Sequence, residues 1–202
     1  MSELLLIRHA ETDMAGTFCG HSDPELNARG RVQLGELINR LRKEKIGVVY
    51  SSDLRRAHTT GMAIAEAFNV DCHLRSTLRE INFGRWEGIT WEEIEQRDDV
   101  YARRWIAEYP RLPAPAGEGF RDFERRVLDE VKFLSLEAEV AEGRIAVVTH
   151  AGVLRTVLCA LLGCSEDNAW EQTRSYCSVV RIPARLPVPC RLLRQGLEFI
   201  EG

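Results

Sequence analysis

The sequence predicts an α/β fold: a three-layer α-β-α sandwich with a mostly parallel sheet and a small helical and loop cap inserted in it. Three observations lead there. Short apolar runs alternate with amphipathic segments along the chain. The first run, Leu4–Ile7, is continuously apolar, as in a strand covered on both faces. A stretch rich in tryptophan and proline then interrupts the alternation.

Leu4–Ile7 opens the sheet, and a helix follows from about Gly30 to Lys43, buried through Leu34, Leu37, Ile38 and Leu41. Gly47–Tyr50 reads as a second strand. Leu54 to Phe68 reads as a helix with Ala57, Ile64, Ala65 and Phe68 inward. Residues 81–119 carry Trp86, Trp91 and Trp105, then Pro110, Pro113 and Pro115, too dense a run for regular structure. This segment is the expected cap, inserted in a single domain spanning residues 1–202. From Phe120 to about Glu142, the apolar residues Phe123, Val127, Val131 and Leu134 fall at helical spacing, and Gly143 ends the helix. Ile145–Val148 is a buried strand and Ala151–Leu162 a helix stopped by Gly163. Ser178–Ile182 and Cys190–Ile200 are expected as edge strands or hairpins.

Bulk properties exclude several function classes. The 202 residues are 45% hydrophobic, enough for one sizeable core. No apolar run is long enough to span a membrane, and the N-terminus lacks the features of a secretory signal, so a cytoplasmic location is expected. A net charge of −4 argues against a nucleic-acid partner. The six cysteines are scattered without a C-x-x-C pair, so most are expected to be reduced and buried. No metal site and no cofactor are expected.

In a parallel sheet, ligands sit beyond the carboxyl ends of the strands. Those ends carry Arg8-His9, Ser51-Ser52 and Thr149-His150. A single histidine so placed is as readily a satisfied core residue. Two at equivalent positions, with Arg8 beside one and an arginine in the 51–57 segment, would repel one another unless an anion lay between them. A phosphoryl group suits that setting: guanidinium forks match its oxygens, and a neutral imidazole is nucleophilic near its reference pKa of about 6.5. The helix opening at Ala151 would aim backbone N–H groups at the same oxygens. Rival phosphate chemistries lack their residues. No cysteine has an arginine six positions later, and neither G-x-x-x-x-G-K-[ST] nor G-x-G-x-x-G occurs.

Leu6-Ile7-Arg8-His9-Ala10-Glu11-Thr12 resembles the R-H-G-E-T opening of the histidine phosphatase superfamily. Tyr50–Ala57 is similar to its S-x-L-x-R-A element, with the phosphate-binding arginine at Arg56. Leu78–Gly88 is similar to its L-x-E-x-x-F-G-x-W-E-G element, and Val147–Gly152 to its second histidine segment. Four such motifs in order cover nearly the whole chain. The resemblance implies transient phosphorylation of His9 and phosphoryl binding by Arg8, Arg56 and His150. It also implies a proton donor at Glu80, which by spacing alone reads as a surface glutamate. Cys19 and Gly20 fall at a turn that commonly contacts phosphate or substrate in the family. Ala10 replaces the usual glycine, and Ala15 stands where many members have an asparagine that reaches the phosphate.

Within the superfamily, Gly20-His21, Ala28-Arg29-Gly30 and Pro115–Phe123 most resemble alpha-ribazole phosphatases of cobalamin synthesis. A small-molecule phosphate ester is therefore the expected partner. A broad sugar-phosphate phosphatase or a phosphoglycerate mutase-like enzyme is the neighbouring reading. A non-catalytic phosphate-binding module or a scaffold using its cap is the reading from another class. Trp86, Trp91, Tyr101, Trp105 and Tyr109 either stack on the substrate base or form the small core of the cap.

Overall fold

The computed structural model describes residues 3–185. Its sheet contains β1 (Glu3–Arg8), β2 (Ile46–Ser51), β3 (Cys72–Leu74), β4 (Arg144–Thr149) and β5 (Val179–Pro183), in the order β3-β2-β4-β1-β5. All neighbours run parallel except β5, which closes one edge antiparallel to β1. Leu4 to Ile7 are wholly buried, because helices cover both faces. Leu4, Leu6, Ile145 and Val147 pack with α5 (Phe120–Val140) and α6 (Ala151–Leu162). Their alternates Leu5, Ile7, Ala146 and Val148 pack with α1 (Ala28–Leu41) and α2 (Arg55–Phe68). This is the period of two expected of strands between two helical layers.

Local chemistry explains the helix ends. Asn27 caps α1, its side chain accepting from Gly30 N at 2.7 Å. Asn69 (φ 51°) and Gly163 (φ 67°) turn the chain out of α2 and α6 in the left-handed region. The long helix α5 stops at Val140, before Gly143, because Ala141 is already extended.

Residues 81–119 hold α3 (Trp91–Arg97) and α4 (Asp99–Glu108), started by a Thr90–Glu93 capping box and by Asp98 respectively. Trp86, Ile94, Ala102 and Ala114 are the buried centre of a separate apolar cluster, joined by Phe18 from the loop after β1. Tyr101 donates its hydroxyl to Pro113 O at 3.0 Å.

Several expectations need correction. Strand β3 and helix α7 (Glu166–Thr173) were not foreseen: β3 has three residues, and α7 buries only Ala169 and Thr173. The signal for α7 is its Ser165 cap with Glu166 and Asp167 in the first turn. Cysteines are less buried than expected. All five described are free thiols, but only Cys177 is buried, while Cys19, Cys72, Cys159 and Cys164 are half-buried. The expected segment Cys190–Ile200 lies outside the described residues. Among the described residues, no helix is long and apolar enough to cross a membrane.

Two helical glycines test the packing by sign. Nothing lies within 4 Å of a Cβ built on Gly35, so Gly35→Ala is expected to stabilise by about 1 kcal/mol through helix propensity. A Cβ on Gly61 would sit 2.9 Å from Ser51 Cβ on β2, so Gly61→Ala is expected to lower the Tm instead. Thermal denaturation reads both, and a higher Tm for Gly61→Ala would show that α2 is not seated tightly on β2.

Candidate active site

The site follows from strand register. Arg8 on β1 lies opposite Thr149 on β4, so the two parallel strands end level. One residue on, His9 N donates to Thr149 O at 2.9 Å, and Ser52 N donates to Val148 O at 2.9 Å. His9 and His150 thus emerge side by side, with ring centroids 5.1 Å apart. Helix α2 adds Arg56, whose Nε lies 3.2 Å from His9 Nε2. The structure brings Arg8, His9, Arg56 and His150 together; Arg55 instead faces solvent and pairs with Asp23 and Glu25.

Hydrogen bonds fix the state of His9. Its Nδ1 lies 2.7 Å from Ala10 O, and a carbonyl can only accept, so Nδ1 carries the proton. Nε2 is left with its lone pair, toward which Arg56 Nε–H points. Burial, then Arg56 and Arg8, hold the His9 pKa well below the usual histidine value. Burial and then Arg56, His9 and Arg8 do the same to His150. Both imidazoles are neutral at pH 7. Arg8 donates Nη1 to Thr173 O (3.0 Å) and Arg174 O (2.5 Å), and its guanidinium lies 4.1 Å over the Tyr176 ring. Among the described residues, Arg8 Nε and His150 Nδ1 are buried without a partner. Such orphans are costly in a folded protein, and they are expected where a ligand supplies the missing group.

Arg56 has no exposed surface, and its remaining donors go to backbone carbonyls: Ser22 O (2.6 Å), Gly20 O (2.7 Å) and Cys19 O (3.2 Å). Glu87 holds that turn from the other side. It accepts from the N–H groups of Gly20, His21 and Ser22, from Phe83 N, and from Ser22 Oγ at 2.6 Å. Burial opposes its charge, yet the donors from Ser22, His21 and Phe83 win and lower its pKa. Gly20 therefore supports Arg56 instead of offering a free donor to substrate. A side chain there would strike Ile81 O and Glu87 Oε1. Cys19 does line the cavity.

Glu80 is buried, with Oε2 accepting from Gly152 N at 2.9 Å and Oε1 from Ile81 N at 3.0 Å. A Cβ at residue 152 would run into Glu80 Oε1, so the Glu80 carboxylate can hold this position only over a glycine. This corrects one expectation: an N–H in the first turn of α6 serves Glu80, while Ala151 itself lines the cavity.

The cavity is about 890 Å³, and Arg8, His9 and Glu80 share it with Trp91, Trp105 and Tyr109. Trp86 and Tyr101 belong to the cap core, Trp91 and Trp105 pack on that core while also lining the cavity, and Tyr109 lines the cavity. Sequence reasoning missed Ser52, Glu87, Tyr176 and Arg155 as site residues. Arg155 had a signal, since it stands four residues after Ala151 on one helix face. Its guanidinium lies 4.6 Å over Trp170, and it donates Nε to Ala151 O at 3.3 Å. Among the described residues, no three His, Cys, Asp or Glu side chains gather so as to hold a metal ion.

Comparison with known proteins agrees with this geometry. The chain is 33% identical to phosphoserine phosphatase 1 of Hydrogenobacter thermophilus over 95% of its own length and 92% of the relative's. It is 31% identical to the adenosylcobalamin/alpha-ribazole phosphatase of Salmonella typhimurium over 83% of each chain. The alpha-ribazole phosphatase of Shigella flexneri superposes with a TM-score of 0.77 at 29% identity, covering 89% of each chain. The family model of the histidine phosphatase superfamily (branch 1) matches residues 4–185. With relatives and structural neighbours that are phosphatases by name, this chain belongs to the histidine phosphatase superfamily and is a phosphatase.

Proposed function

We propose that the enzyme hydrolyses phosphate monoesters through a phosphohistidine at His9 Nε2. The observation that carries this reading is the neutral His9 ring, its Nδ1–H tied to Ala10 O and its Nε2 lone pair facing inward among Arg8, Arg56 and His150. In the first step Nε2 attacks phosphorus in line, the phosphorus–oxygen bond to the alcohol breaks, and a protonated Glu80 gives its proton to the departing oxygen. The Nδ1–H bond to Ala10 O steadies the positive charge on the phosphorylated ring. In the second step water attacks the phosphohistidine, the Glu80 carboxylate takes the water's proton, and phosphate leaves with neutral His9 restored. Arg8 and Arg56 balance the charge on the equatorial oxygens, and the unpaired Arg8 Nε suits one of them. An oxygen arriving at His9 would take over the Arg56 Nε–H.

For the substrate we favour alpha-ribazole 5'-phosphate. Trp91, Trp105 and Tyr109 give the cavity flat apolar walls suited to a benzimidazole base, and the Salmonella and Shigella relatives are phosphatases of that name. Arg155 favours a second reading, phosphoserine. A guanidinium lining the cavity suits the carboxylate of an amino acid, and the Hydrogenobacter relative is a phosphoserine phosphatase.

His9→Ala is expected to abolish hydrolysis of p-nitrophenyl phosphate, while EDTA leaves the wild-type rate unchanged. Activity that survives the substitution, or that disappears with chelator, counts against the imidazole nucleophile. Glu80→Gln is expected to slow alkyl phosphates more than p-nitrophenyl phosphate, whose phenolate leaves without a proton; equal slowing would place the acid elsewhere. Comparing kcat/KM for alpha-ribazole 5'-phosphate, phosphoserine and sugar phosphates decides the substrate. Trp105→Ala should lower the alpha-ribazole value by about 5- to 150-fold, the equivalent of one lost base–aromatic contact of roughly 1–3 kcal/mol, and spare phosphoserine. A preference for phosphoserine that Arg155→Ala removes would reverse the assignment.

A further inference from the structure

We propose that Ser52 is a positioning residue that fixes the tautomer of His150, making its Nδ1–H the donor to a phosphoryl oxygen. The inference rests on the phosphohistidine reading and assigns a role to the serine that opens the S-x-L-x-R-A element, for which the resemblance implied none. Ser52 and His150 are both wholly buried, so every polar atom they carry must find its partner inside the protein. Ser52 Oγ lies 2.9 Å from His150 Nε2, and it accepts from Leu54 N at 3.4 Å. No other acceptor for the Ser52 hydroxyl exists among the described residues.

The two tautomers differ by one satisfied group. With the proton on Nε2, the Ser52 oxygen would receive hydrogen bonds from both Leu54 N–H and His150, and its own O–H would be stranded. With the proton on Nδ1, donors run in one direction: Leu54 N–H to Ser52 Oγ, then Ser52 O–H to His150 Nε2. A chain of this kind strengthens itself, and a stranded hydroxyl in the interior is costly. The second arrangement is therefore selected. It leaves as its unpaired atom His150 Nδ1–H, a buried donor 0% exposed as a residue and without a partner among the described residues. A phosphoryl oxygen is the acceptor it lacks. The opposite tautomer would present a lone pair to that oxygen and repel it. Burial keeps the ring neutral, so the tautomer, not the charge, decides whether His150 attracts or repels the anion.

The sequence places Ser52 for this task. It leaves the sheet one residue after Ser51, at the end of β2, which pairs with β4. Its backbone N–H is held by Val148 O, two residues before His150, so both side chains hang from adjacent strand ends.

Long-range proton–nitrogen NMR of the wild-type enzyme reads the tautomer without turnover and should find His150 protonated at Nδ1 with a bare Nε2. In Ser52→Ala the Nδ1–H signature should be lost or mixed. The kcat/KM for phosphate esters should fall roughly 10- to 100-fold, the usual effect of removing a group that orients a functional imidazole. The inhibition constant of inorganic phosphate should rise in parallel. Ser52→Thr, which keeps the hydroxyl, should recover both the signature and most of the rate. An Nε2–H tautomer in the wild type overturns the proposal whatever the fold of the variants, as does an unchanged tautomer and rate in Ser52→Ala. The phosphohistidine reading fails on a different result, hydrolysis that persists in His9→Ala, so the two failures are told apart.

Discussion

A guanidinium with no exposed surface constrains everything around it, and Arg56 is such a group. Its cation cannot be left in the interior without a full set of acceptors. Among the described residues, its hydrogen bonds go to no carboxylate. Three carbonyls of the 19–22 turn and the lone pair of His9 receive its donors instead. To present three carbonyls inward, that turn must expose its N–H groups to the other side, and Glu87 collects them. Gly20 must lack a side chain for the turn to lie so close to Ile81 and Glu87. One buried charge thus dictates the turn, the acid behind it and the state of the nucleophile before it.

Solvating Arg56 by dipoles instead of by an opposite charge has an electrostatic consequence. The cluster retains the fields of Arg8 and Arg56, and these fields, added to burial, keep both imidazoles neutral. An internal carboxylate would have cancelled the fields and raised the histidine pKa values, removing the lone pair on which attack depends. In the proposed mechanism the arginines are thus left to balance the dianion of the substrate. Glu80, the one acid sharing the cavity with His9 that the mechanism uses, is tied by the N–H groups of Gly152 and Ile81. That tether holds its carboxyl group at the N-terminus of α6, in the cavity it shares with His9.

Much of this was legible in the sequence, for a physical reason. Short continuous apolar runs such as Leu4–Ile7, set between amphipathic segments, read as strands covered on both sides, and residues one step past such parallel strands meet at the carboxyl edge of the sheet. His9 and His150 were therefore placed from periodicity alone, and the resemblance added Arg56 and Glu80. Other features left little trace. Helix α7 is polar almost throughout, so it has no apolar stripe to read, and β3 is too short to show alternation. Glu87 and Ser52 were invisible in their roles because these arise from hydrogen bonds across 65 and 98 residues of chain, and spacing does not encode such bonds. Gly20 was misread for the same reason. Its position was right, but only the fold shows that its N–H faces Glu87.

The cap shows how specificity can be altered without disturbing the chemistry. Its buried centre, Trp86, Ile94, Ala102 and Ala114, is separate from both sheet-side clusters, and the prolines keep the following segment irregular. Trp91 and Trp105 pack on that centre while also lining the cavity. Their orientation is therefore set by cap packing, whereas Arg8, His9 and His150 are set by strand ends. Two packing units meet across one cavity; in the proposed function one fixes where phosphorus sits and the other what is attached to it. Substitutions confined to the cap can then change the alcohol accepted while the strand-end geometry stays as it is.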